Sequence, residues 1–286
     1  MNLRTVRKKI KSVKNVRKIT KAMQLVSGIK MRKSQAAELE GRPYRDGLNN
    51  IMAKIATRVE PQHSLLLSRT NEEGEKKLLI LISSNKGLAG SFNVNLARFL
   101  LKSEIDFYKT EFVTVGSKGA HFVSKMGGNV LADFSRGKPL TEVSAIFNFV
   151  FDKFFQSSIY QTITVVYNRF ISTLKSEPTE DLLLPLSLLR EKLFTEQKQT
   201  GIYLIEPSPE KIIDQLLRSY VEDKIRGAII SSEAVEHSMR MMAMKNATDN
   251  AADVIYNLTL VGNQLRQEKI TYELLDMVTS KESVEN

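Results

Sequence analysis

The chain has 286 residues, a net charge of +10 and an isoelectric point near 9.6, and it contains no cysteine. That excludes disulfide frameworks, thiolate catalysis and zinc–thiolate sites. No apolar run reaches the length of a transmembrane helix, and the charge predicts acidic partner surfaces.

The first segment is basic. Twelve lysines and arginines fall between Met1 and Ala37, and the first acidic residue is Glu38. Such an arm often points to nucleic acid. It has no apolar core of a secretory signal, and it runs without a cleavage-like break into further helix, against a transit peptide. The reading is a soluble intracellular protein. Apolar residues recur at Leu3, Val6, Ile10 and Val13, then at Val16, Ile19, Met23 and Val26. This is a 3-4-3 heptad seam with one extra step of three, the mark of a coiled-coil helix with a stammer. Pro43 should kink or weaken it, with helix possible again up to Pro61.

The middle of the chain reads as an α/β domain. "KKLLILIS", "EFVTVGS", "QTITVVYNRF" and "GIYLIEP" are strand-like, and "NVLADF" is a weaker candidate. Helical patterns near 92–108, 117–126 and 141–155 alternate with them, which predicts a partly parallel sheet with helices on its faces. "KSEPTEDLLLPL" reads as an exposed loop. "SSNKGLAGSFN" stands between strand and helix, where a phosphate loop would sit, but it matches neither glycine-rich nucleotide motif and reads as a tight turn needing φ > 0. His63, His121 and His237 share no ligand spacing. No cofactor, metal or catalytic constellation is expected.

The last segment is a second long helix. From Pro209 onward there is no further proline, and there are only two glycines, Gly227 and Gly262. Met244, Ala247, Ala251, Val254, Leu258, Val261 and Leu265 form a regular 3-4 seam. About seventy helical residues would span roughly 105 Å. Residues 209–286 carry nine basic and thirteen acidic side chains, the opposite sign to the first segment. Four of the ten methionines crowd residues 239–244 on several helix faces, so core packing cannot absorb them all in one partner helix. "NQLRQEKIT" is polar all round without many charges, which fits a solvated helix face and a helix in a protein-lined channel equally. Each seam needs a partner, and the two helices pair antiparallel if the domain returns the chain to its starting end.

"KITKAMQLVSGIKMRKSQ" at 18–35, "RMMAMKNATDN" at 240–250 and "RQEKITYELLDMV" at 266–278 resemble the terminal signatures of the gamma subunit of F-type ATP synthases. "GLAGSFN" at 87–93 and "GSKGAHF" at 116–122 resemble landmarks of its central domain. The resemblance covers essentially the whole chain. It implies an α/β fold with a long antiparallel coiled coil of N- and C-terminal helices plus a central Rossmann-like α/β domain. The expected domains are 1–60, 75–208 and 209–286. It also implies a non-catalytic central-stalk rotor that couples proton-driven rotation of a membrane ring to conformational cycling of catalytic beta subunits. The implied partners are three alpha and three beta subunits, an epsilon subunit and the membrane c-ring, with no nucleic acid. The implied location is the cytoplasmic side of a bacterial inner membrane, peripheral to it. Arg266 and Gln267 match residues that hydrogen-bond a beta-subunit catch loop. Met23, Arg240, Thr271 and Glu273 match positions tied to coupling and shaft packing. Arg7, Lys9, Lys18 and Lys21 lie on the basic face that passes acidic beta-subunit loops. Alanine in "GLAG" replaces a frequent cysteine, and the polar tail "TSKESVEN" departs from the usual small, apolar ending. The regulatory cysteine insert of chloroplast members is absent. The rivals are a nucleic-acid-binding coiled coil, for which residues 1–37 lack stacking aromatics, and a nucleotide-dependent enzyme built on the α/β domain.

Overall fold

The computed structural model describes residues 2–56, 64, 74–103, 105–156, 159–186, 206 and 208–285. The order is α1 (Leu3–Ala56), β1 (Lys76–Ile82), α2 (Phe92–Lys102), β2 (Thr110–Val115), α3 (Ser117–Lys125), β3 (Asn129–Asp133), α4 (Val143–Gln156), β4 (Tyr160–Phe170), β5 (Ser176–Leu184) and α5 (Pro209–Glu285), with a 3₁₀ turn at Pro139–Thr141. The strand expected at "GIYLIEP" lies outside the described residues apart from Glu206, as does His63.

The chain forms two compact units: Met1–Gly28 with Arg240–Asn286, and Ile29–Met239. α1 and α5 each contribute residues to both.

In the larger unit the sheet order is β3-β2-β1-β4-β5. β1 pairs parallel with β2 and β4, β2 parallel with β3, and β5 antiparallel with β4. Residues 78–82 of β1 are all buried, as expected of a central strand covered on both faces. Alternation divides its side chains between two cores. Leu78, Ile80 and Ile82 join α4 (Val143, Ile146, Val150, Phe154) and α5 (Ile213, Leu217, Val221, Ile225, Ile229). Leu79 and Leu81 join Phe92, Leu96 and Leu100 of α2, Val123 of α3 and Val235 of α5.

One expectation fails here. "KSEPTEDLLLPL" is not a loop: residues 176–184 form the antiparallel edge strand β5. A proline and three acidic residues are tolerated because an edge strand has one unpaired side, where the missing N–H of Pro178 costs little. Helix α1 runs as one helix through Pro43, the residue expected to kink or weaken it. The guanidinium of Arg45 donates back across that stretch to the Glu38 carboxylate, at 3.0 Å from Nη1 to Oε2, and to the Glu38 carbonyl at 3.2 Å. These bonds tie together the turn that the proline weakens.

At the amino end of the strands Glu111 is buried and bonded to Lys76 Nζ at 2.8 Å and to the Tyr160 hydroxyl. Burial raises its pKa, but the bonds from Lys76 and Tyr160 prevail and leave it below the ordinary glutamate value. A carboxylate depressed in the fold stabilises fully above its unfolded pKa and loses that contribution as pH falls through the lower folded value. We therefore expect Glu111→Gln to destabilise the chain at pH 7 by about 1–3 kcal/mol, for a charged hydrogen-bonding group lost in the interior. Urea unfolding should show the difference shrinking as pH falls through the folded-state pKa of Glu111.

Candidate partner-binding surfaces

In the smaller unit α1 and α5 run antiparallel, and three contacts fix their register. A Cβ at Gly262 would lie 3.5 Å from Val6 Cγ1, and one at Gly28 would lie 3.3 Å from Met241 Sδ. Between them the Thr20 and Thr248 hydroxyls meet at 2.8 Å. Each hydroxyl also lies within bonding distance of a carbonyl of its own helix, Thr20 of Arg17 at 3.1 Å and Thr248 of Met244 at 2.7 Å, so either can donate across the seam.

The observed seam differs from the one the apolar pattern predicts. On α1 it passes Leu3, Val6, Ile10 and Val13 and continues at strict 3-4 spacing through position 17, where Arg17 is exposed, to Thr20, Gln24 and Ser27. Thr20 and Ser27 are buried, while Val16, Ile19 and Val26 lie about half exposed. The stammer is therefore absent. On α5 Met244, Ala251, Leu258 and Leu265 hold their predicted places. Thr248, Ile255 and Gly262 face the partner more than Ala247, Val254 and Val261, and the two valines are exposed. Short polar and small side chains occupy these positions because the helices approach closely there, at Gly28 and Gly262.

The site residues divide by burial. Arg240 is buried at 8% exposure, and Met23 is partly buried. The register sets Arg240 level with Gly28 and Met23 level with Lys245, so the two are about 7 Å apart along the helix axis. Arg266, Gln267, Thr271 and Glu273 are all exposed on α5. With Val6 opposite Gly262, α1 ends near residue 266, and α5 beyond that has no companion helix in this unit. Thr271 Oγ1 bonds the Gln267 carbonyl at 3.0 Å, and Glu273 pairs with Lys269 at 3.2 Å. Gln267 and Thr271 line one shallow groove with Gln264, Glu268, Tyr272 and Leu275. Ile270, Leu274, Met277 and Val278 project around the same stretch, each about half exposed or more.

Arg7, Lys9, Lys18 and Lys21 are exposed. Among the described residues none of the twelve cations before Ala37 forms an ion pair, although α5 carries the opposite net charge. The seam brings short side chains together and turns the long cations outward. Lys30 and Lys33 act at longer range on Glu233 of α5, opposing the rise in its pKa that burial and Glu236 cause.

The methionines serve three environments. Met244 is buried in the seam, Met241 lies beside Gly28, and Met239 packs on the α2–α3 core with its sulfur 3.9 Å from Ser91 Oγ. Met242 faces outward.

The residues after β1 cap a different helix from the one they lead into. The first three N–H groups of α3 are taken by Asn85 Oδ1 at 3.0 Å, the Ser84 carbonyl at 3.1 Å and Ser83 Oγ at 2.7 Å. Positive φ occurs at Leu88 (61°) and Gly90 (58°), so the tight turn is present but one of its two left-handed residues is a leucine. His121 and His237 stand on different elements, and no group of three potential metal ligands occurs among the described residues.

Sequence reasoning missed Thr20, Thr248, Ser27, Gly28 and Gly262 as seam residues. The usable signal was the unbroken 3-4 spacing, followed through polar positions.

The family model described as ATP synthase matches residues 2–284. The ATP synthase gamma chain of Opitutus terrae is 37% identical over 292 residues, covering 97% of each chain. That of Haemophilus influenzae strain PittEE is 34% identical over 288 residues, covering 98% of each. Among solved structures, a chain of the Euglena gracilis mitochondrial ATP synthase OSCP/F1/c-ring in rotational state 3 superposes with a TM-score of 0.67 at 18% identity, over 99% of this chain and 94% of that one. A chain of the Tetrahymena thermophila mitochondrial ATP synthase central stalk and c-ring gives 0.57 at 23% identity, over 80% and 99%.

Proposed function

Since the chain belongs to the ATP synthase gamma-chain family, we propose that it works as the turning, non-catalytic shaft of that enzyme. It is a central-stalk subunit of an F-type ATP synthase, a complex that works at a membrane. No helix among the described residues is long and apolar enough to cross one. In the proposed assembly three alpha and three beta subunits surround the shaft, while epsilon and the c-ring adjoin the α/β domain. The complex sits on the cytoplasmic side of a bacterial inner membrane. The domains in this reading are the helix 1–60, the α/β domain 75–208 and the helix 209–286.

The observation that carries the proposal is the antiparallel pair from which α5 alone continues past the start of α1. Such a body is different on every side. Three identical catalytic subunits around it receive different contacts, and a shaft shifts their conformational equilibria only through those differences. Turning it passes each subunit through the three environments in sequence. Arg266 and Gln267 serve as hydrogen-bonding groups for a catch loop, with Thr271 and Glu273 on the same stretch of helix. Met23 and Arg240 shape the paired region below. Arg7, Lys9, Lys18 and Lys21 face acidic loops.

The outward face also supports a protein partner over a polynucleotide. Val16, Ile19 and Val26 stand exposed among the cations of the basic segment. Aliphatic side chains gain by burial against protein, whereas single-strand binding uses aromatic platforms. Affinity purification from a membrane extract tests the proposal. Alpha and beta chains should copurify in equal amounts, three of each per copy; retention on DNA or RNA without them would overturn it.

A further inference from the structure

The exposed Val16, Ile19 and Val26 continue the apolar spacing of Val6, Ile10 and Val13, so α1 carries two overlapping seams that diverge after Val13. One is apolar and overwound. The other passes Thr20, Gln24 and Ser27 and is the one that meets α5. They differ by one residue, or about 100° around the helix. Apolar burial alone favours the unused seam, because valine and isoleucine gain more from leaving water than threonine and serine.

We propose that Thr20 and Thr248 are positioning residues that select the polar seam and thereby turn the Val16–Ile19–Val26 stripe outward. Theirs is the hydroxyl contact across the seam of this unit, at 2.8 Å, and both residues are buried. It lies where the two seams have parted, between the close approaches at Val6–Gly262 and Gly28–Met241. Rotating α1 to bury Ile19 would carry the Thr20 hydroxyl away from Thr248. A buried polar contact of this kind specifies alignment more than it stabilises. Its consequence for coupling rests on the rotor reading, since the stripe is then the apolar part of the face the surrounding subunits meet.

The absence of native cysteine makes the test direct. Ile19→Cys is introduced into the full chain and its labelling by a maleimide is timed. It is then repeated with Thr20→Ala and Thr248→Ala together, and with Thr20→Ser and Thr248→Ser together, pairs that differ only in the hydroxyls. The alanine pair should slow labelling about fivefold, the factor carried by one net buried hydrogen bond. The serine pair should label at the original rate. Equal rates in all three chains overturn the proposal, as does faster labelling through unfolding in the alanine pair or alanine-like behaviour of the serine pair. In the assembled complex the alanine pair should lower proton pumping per ATP hydrolysed, and the serine pair should retain it. Because the labelling is read on the chain alone, it stands or falls independently of the copurification result.

Discussion

Gly116→Ala is expected to destabilise the chain by roughly 3–5 kcal/mol, combining a forbidden backbone region, a clash and lost bonds. Gly116 ends β2 and precedes α3 with φ at 115°. A Cβ there would lie 2.2 Å from the Ser83 carbonyl oxygen and 2.7 Å from Ser83 Oγ. Ser83 cannot give way freely, because its hydroxyl donates to the Gly116 carbonyl at 2.8 Å and accepts from the Gly119 N–H at 2.7 Å. Ser83 also follows β1 directly, so displacing it disturbs the central strand. Gly87→Ala in the neighbouring turn is the control. A Cβ at Gly87 would meet no atom within 4 Å and φ is not positive, so the change should stay within about 0.5 kcal/mol. Urea midpoints of the two variants should differ accordingly; equal midpoints would contradict the account of this turn.

Arg266→Ala is the largest functional change we expect. Arg266 is exposed on α5 near the level where α1 ends, and it forms no ion pair among the described residues. Truncating it therefore removes nothing from the fold, and the chain should unfold as before. In the assembled enzyme it should lose the hydrogen-bonding group proposed for a catch loop. Removal of one charge-assisted hydrogen bond corresponds to about a tenfold fall in coupling. ATP-driven proton pumping, normalised to hydrolysis, checks this. Unchanged pumping in a correctly assembled mutant complex would remove Arg266 from the coupling contact.

The organisation of helix, α/β domain and helix was legible because the period of the apolar pattern changes twice along the chain. Strands β1, β2 and β4 stand out for the same reason, since β-branched and leucine-rich runs bounded by turn residues have few alternatives. β5 was not legible: "SEPTED" is polar because one side and one face of an edge strand meet solvent, and that composition matches a loop. The coiled-coil seam was legible only as far as Val13. Beyond it the buried positions are Thr20 and Ser27, and apolar counting followed Val16, Ile19 and Val26 to the outside of the helix. Gly262 escaped for a related reason, as a missing side chain contributes to a seam by permitting close approach. The proposed contact residues Arg266, Gln267, Thr271 and Glu273 lie exposed along α5, two of them in a shallow groove. The role proposed for them needs a surface from another subunit, and only the resemblance pointed to them.

The central claim is that this chain turns inside a ring of catalytic subunits. Its most direct test is to assemble the chain with alpha and beta subunits, fix the ring to a surface, attach a bead through a cysteine introduced at exposed Lys118, and supply ATP. The account predicts rotation of the bead in one direction, sustained while ATP is hydrolysed. Hydrolysis at full rate with a stationary bead would contradict it.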